Sequence, residues 1–144
     1  MLDQKALSDL IAQIYDAAHE PALWETVLRR IARSSGGQTA IFYEFDRRTN
    51  AADPIGSLEI DRDRMADYER HYSKVDVWNK RALLRPVGVA GSTQALVPDA
   101  EFERTEFYND HLRPMGIFYG AGGVVDRTPD VMALVGVQRS RRAG

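Results

Sequence analysis

Tyr68, Tyr72 and Trp78 crowd around Asp76 in one short stretch, YERHYSKVDVW, and these residue types can wall a small-molecule cavity. Rings supply the apolar walls of such a cavity, and a carboxylate supplies one of the few fixed polar groups that orient a ligand. A carboxylate held among rings is costly unless hydrogen-bonded, so a buried Asp76 requires a donor, and a ligand amide can be that donor. A plainer reading of the same residues has the rings packing on a sheet and Asp76 capping a local turn. Phe107 joins the candidates because it points off the apolar stripe of its own helix, toward a second packing surface or a cavity.

Other chemistries find less support. His19, His71 and His111 are tens of residues apart with no companion at metal-ligand spacing, so no metal is expected. Gly120-Ala121-Gly122-Gly123 lies inside an apolar strand, whereas a phosphate cradle needs a helix N-terminus directly after it. Its glycines are better read as letting a helix or ligand approach the sheet closely. Glu101, Glu103 and Glu106 suit the positive end of a helix dipole and are expected in solvent. No nucleophile is paired with a base at a recognisable spacing, so an enzyme is the least favoured reading and no cofactor is expected.

The elements that must position these residues follow from periodicity. LVPDAEFERTEFYNDHLRPMG, Leu96 to Gly116, reads as one helix with Asp99 as N-cap and Pro114 and Gly116 as its stop. Phe102, Thr105, Tyr108 and Leu112 form its stripe, which should lie on a sheet. Residues 3 to 18 place Leu7, Leu10, Ile11, Ile14 and Ala18 on one helical face that covers a core. Pro21 opens a second helix that Gly36-Gly37 stops. Thr39 to Asp46 alternates as a strand covered on both faces, and Ala51 to Ile60 returns beside it, with Pro54 suiting an edge or bulge. Asp61 or Asp63 caps a third helix, Arg85-Pro86 breaks whatever Lys80 to Leu84 makes, and Val87 to Leu96 is a weak strand. Ile117 to Val125 and Val131 to Gln138 close the fold as a hairpin. The order predicts an α+β domain: one antiparallel sheet of about five strands with helices packed on it.

Composition sets the outer bounds. A chain of 144 residues with 44% hydrophobic content makes one domain with one core. Its net charge of -2 supplies no field that would draw nucleic acid or an anionic membrane. The absence of cysteine excludes disulfides and thiol chemistry. No signal peptide or membrane span is read at the start, and a cytoplasmic location is expected.

Two stretches, YERHYSKVDVW and LVPDAEFERTEFYNDHLRPMG with the following IFYGAGGVV, resemble the N-terminal sensor region of LuxR-family helix-turn-helix regulators. The opening LIAQIYDAAHEPALWETVLRRIA also resembles that region, so the similarity spans nearly the whole chain. The resemblance implies a PAS/GAF-like or autoinducer-domain-like fold over residues 1–138, with 139–144 a basic linker or truncated end. It places Asp76 at the acidic position that accepts a ligand's acyl amide in lactone receptors, with Tyr72 at an aromatic position before it. The chain departs at Val77, where those receptors carry proline, and it lacks their ring-binding tyrosine and tryptophan at the right spacing. A different or unidentified small molecule is therefore expected. A homodimer is expected, and the resemblance further implies contact with DNA only through a C-terminal helix-turn-helix absent from this chain. The rival reading is a dimerisation module with a filled core, using Trp24 or Tyr15 as outward anchors.

Overall fold

The computed structural model describes residues 2–82 and 84–143. The expected helix from Lys80 to Leu84 includes Leu83, which, like Met1 and Gly144 of the expected domain bounds, lies outside the described residues.

Asp3 opens the first helix, α1 (Gln4–His19), by accepting the Ala6 amide at 2.7 Å, and a 3-10 turn at Pro21–Leu23 leads into α2 (Trp24–Ser35). Gly36, at φ 73°, takes the left-handed cap that ends α2, a conformation that favours glycine. Strands β1 (Thr39–Asp46) and β2 (Ala51–Leu58) pair antiparallel, with the register slipping opposite Phe42 and Tyr43 where Pro54 enters. The proline is accommodated as expected, by a bulge on an edge strand. Helix α3 (Arg62–Arg70) is capped by Asp61, and a 3-10 turn at Tyr72–Lys74 separates it from α4 (Val77–Ala82). The short strand β3 (Gly91–Ser92) is followed by α5 (Thr93–Leu96) and α6 (Asp99–Phe102), then by a π-helix at Phe107–Leu112. Strands β4 (Tyr119–Arg127) and β5 (Val131–Arg139) form the closing hairpin. The sheet order is β2-β1-β5-β4-β3, and every neighbouring pair is antiparallel.

Alternation along β1 divides the molecule into layers. Ala40 and Phe42 face α2, where Leu28, Ala32, Leu58 and Val137 close one core. Ile41, Tyr43 and Phe45 face the other way, into a larger core with Tyr68, Phe102, Phe107 and Leu112. The fold is thus α+β around one five-stranded antiparallel sheet, with helices on both faces.

Several expectations are corrected. The helix expected from Leu96 to Gly116 is broken into α5, α6, the π-helix and a 3-10 turn at Arg113–Met115. Asp99 does not cap it; Pro98 holds the cap position, and the Asp99 carboxylate instead faces Gln94 and Tyr119 at 3.4 Å. The strand expected from Val87 to Leu96 shrinks to Gly91–Ser92: Thr93–Leu96 is helical, and the segment before the strand lies against β4, where the Gly88 amide donates to the Val124 carbonyl at 2.9 Å. Gly123 permits that approach, since a Cβ there would stand 2.6 Å from the Val89 carbonyl oxygen. On α1 the apolar face divides: Leu10 and Ala17 are buried, whereas Leu7, Ile11 and Tyr15 remain exposed. Trp24 is no outward anchor; its ring edge lies against Phe42 at 4.8 Å. Arg141, in the segment expected as linker, sits over the Phe118 ring at 4.3 Å and pairs with Glu103 at 2.7 Å.

Candidate functional site

Between the sheet and the α3, α4 and π-helix layer lies a cavity of about 120 Å³. Its floor is the sheet, where Ile41, Tyr43, Val124 and Leu134 project and Gly122 and Gly136 leave room. Tyr68 from α3, Trp78 and Ala82 from α4, and Phe107 and His111 from the π-helix form the opposite wall. The lining continues to Gly91, Ser92 and Thr93 at the exposed β3 edge.

Tyr68, Asp76, Trp78 and Phe107 thus meet at one cavity, as side chains expected to act together should. Tyr72 does not line it; its ring stacks on the His111 imidazole at 4.6 Å and meets His71 edge-on. Trp78 stacks on Phe102 at 5.0 Å and meets Phe107 edge-on at 5.4 Å, so the ring layer is continuous from α4 to the π-helix.

Asp76 is buried at 3% exposure, and the chain supplies its own donors. The Tyr68 hydroxyl donates to Oδ2 at 2.7 Å and the Asn79 amide to Oδ1 at 3.0 Å, so Asp76 also caps α4. Asn79 completes the network by accepting from the Tyr43 hydroxyl and donating from Nδ2 to the Tyr68 hydroxyl at 3.0 Å. Burial pushes the Asp76 carboxyl up to about 6, against the pull of its hydrogen bonds from Tyr68 and the backbone. Burial, with the Asp76 charge behind it, pushes the Tyr43 and Tyr68 hydroxyls away from ionisation.

His111 is 4% exposed, lies between the Tyr68 and Tyr72 rings, and leaves Nδ1 buried without a hydrogen-bond partner. Burial, and then the Arg64 charge, lower its pKa to about 4, with Asp67 opposing, so the ring is neutral near pH 7. Tyr43, Asn79 and His111 were not legible as site residues. Tyr43 looks like any inward strand position, Asn79 is a polar residue in a short helix, and a lone histidine carries no motif.

No protein-family model matches the chain, and no curated protein sequence matches it. The fold is similar to that of a solved structure, the crystal structure of the VqsR LBD domain from Pseudomonas aeruginosa, with a TM-score of 0.78 over 96% of this chain and 83% of that one. The two are 14% identical, so the likeness is one of fold.

Proposed function

We propose that this chain is the ligand-sensing domain of a LuxR-family transcriptional regulator and that a small organic molecule occupies the cavity between sheet and helices. The observation that carries the reading is the cavity itself, walled by rings and holding a few buried polar groups, as small-molecule sites are. The similarity to the VqsR LBD domain supports a regulatory ligand-binding role over a catalytic one. Tyr68 gives the same direction: a hydroxyl nucleophile needs a base that eases its ionisation, whereas burial and the Asp76 charge oppose it here. Contact with DNA belongs, on this reading, to a helix-turn-helix outside the present chain.

A ligand that binds only the folded domain stabilises it by about 2.7 kcal/mol at 100 times its dissociation constant. For a chain of 144 residues that raises the unfolding midpoint by about 9 °C. Thermal unfolding against a metabolite library that includes acyl lactones is the test. One compound should raise the midpoint, and Ala82→Phe, which puts a ring into the cavity, should lose that rise relative to its own unliganded midpoint. A library without any stabilising compound would sink the sensing reading.

Self-association is a second role favoured by a specific observation. Leu7, Ile11 and Tyr15 stand exposed on α1 at 47%, 46% and 69%, and they share one face at helical spacing. A second copy of the chain is the occupant proposed for that face.

A further inference from the structure

Asp76 and Arg85 are the two charged side chains that line the cavity, and α4 lies between them in the chain. Trp78, Asn79 and Ala82 face the cavity from that helix, so the space runs along it. With 6 residues α4 is about 9 Å long, which sets Asp76, just before it, and Arg85, just beyond it, at opposite ends.

The two ends differ in what they leave unsatisfied. At the Asp76 end both carboxylate oxygens, both Asn79 side-chain atoms and the two tyrosine hydroxyls are bonded within the protein. A ligand group there would compete with bonds already made, which returns little net free energy. The Arg85 end is open: Val89, Ala90, Gly91 and Ser92, in the segment that follows, line the cavity and are exposed.

A guanidinium offers several N–H donors. Among the described residues the Arg85 side chain makes one hydrogen bond, from Nη2 to the Ala95 carbonyl at 3.4 Å, and no ion pair. That contact sets its head group beside α5, whose Thr93 and Leu96 also line the cavity. Arg81, one turn earlier, shows an arginine whose needs are met: it donates to the Leu96 carbonyl at 2.9 Å and pairs with Glu101. Arg127 donates from Nη2 to the Arg85 carbonyl at 2.7 Å and forms no ion pair among the described residues, so a second cation stands behind the first.

Resting on the sensing reading above, we infer that the ligand is a carboxylic acid bearing one apolar ring, with its carboxylate on Arg85 at the open end and its ring along α4 toward Trp78 and Phe107. A carboxylate matches the guanidinium fork with two parallel hydrogen bonds, and such a pair is stronger beside an apolar wall than in water. Size argues for one ring: an apolar cavity of about 150 Å³ takes up benzene, and this one is about 120 Å³. The rings of Tyr68, Trp78 and Phe107 favour a flat, polarisable body. A second acid group would be driven toward the Asp76 carboxylate, which restricts the class to monoacids.

3-Phenylpropionate and its amide, alike in shape and differing in charge, are the probes. Calorimetric titration of the whole chain should find the acid bound more tightly, and the acid-to-amide affinity ratio should fall roughly tenfold in Arg85→Gln. Arg85→Lys should keep part of the preference, because it retains the charge and loses the fork. Arg33→Gln removes the same charge from α2, on the other side of the sheet, and should leave the ratio unchanged. In wild type the Arg85 Nε–H resonance should move with the acid and stay with the amide, which decides the matter even if Arg85→Gln fails to fold. A ratio unchanged in Arg85→Gln, an equal fall in Arg33→Gln, or a still Nε resonance would overturn the proposal. If neither probe binds while a library compound stabilises the domain, the single-ring acid is wrong and the sensing reading stands. If nothing binds at all, both fall.

Discussion

Asp76 and His111 share a neighbour, Tyr68, which donates to the one at 2.7 Å and stacks on the other at 5.6 Å. They titrate in opposite senses. Folding raises Asp76 from 3.8 to about 6, so between those values the folded state holds a proton the unfolded chain has lost. Its contribution to stability is full below 3.8 and is gone once pH has risen through about 6. Folding lowers His111 from 6.5 to about 4, so there the unfolded chain holds the extra proton. That contribution is full above 6.5 and is lost as pH falls through about 4. Each shift is worth about 3 kcal/mol, and in the native domain the two slopes largely cancel. Single variants should uncover them. Measured by urea unfolding from pH 4 to 7 and taken relative to wild type, Asp76→Asn should gain stability as pH rises and His111→Leu should lose it. Curves that stay parallel to wild type would show that neither group is held as the geometry implies. Only one of the pair was legible in the sequence. A carboxylate among rings stands out at Asp76, whereas His111 reaches the cavity through a wide turn that residue spacing does not announce.

At the scale of elements, the same local rules that located the sheet misjudged the long helix. Alternation in β1 and the hairpin signals around Pro129-Asp130 are short-range, and the strands formed where they indicated. The apolar stripe through Phe102, Tyr108 and Leu112 also faces the core, but it is carried by separate turns. Thr105 shows why. Its hydroxyl donates to the Phe102 carbonyl at 2.8 Å and accepts from the Tyr108 amide at 3.2 Å, which ends one helix and caps the next. Asn109 secures the break, its Nδ2 donating to the Glu103 and Thr105 carbonyls at 2.8 and 2.9 Å. A threonine on the apolar stripe therefore competed with helix continuity, and periodicity has no means of seeing that. Thr105→Ala should cost about 1 kcal/mol in urea unfolding, in the range of a lost cap, and Thr105→Ser should recover most of it. Equal losses in both variants would assign the effect to the threonine methyl group and its packing instead.

Viewed whole, the molecule uses its two sheet faces differently, and that asymmetry bears on how a sensing domain would pass on a signal. One face holds the cavity; the other is covered by α2, with α1 outside it, and keeps an open hollow beside α2 lined by Ile31, Val125, Val135 and Val137. The sequence placed α1 against a core but had no way to tell which of its apolar residues would find partners; of them Leu10 and Ala17 are buried. The unpartnered face carrying Leu7, Ile11 and Tyr15 is what a second copy would cover. With 16 residues α1 is about 24 Å long, and one helix face of that length falls short of the roughly 1,200–2,000 Å² buried in standard interfaces. Association of the isolated domain is accordingly expected to be weak, with a dissociation constant in the micromolar range or above. Sedimentation velocity from low to high micromolar concentration should show the mean coefficient rising with concentration. Ile11→Glu combined with Tyr15→Glu should hold it at the monomer value, while the urea midpoint shifts little because exposed substitutions rarely exceed about 0.5 kcal/mol. A wild-type chain that stays monomeric throughout would remove self-association through α1, and a double variant that still associates would move the interface to another face.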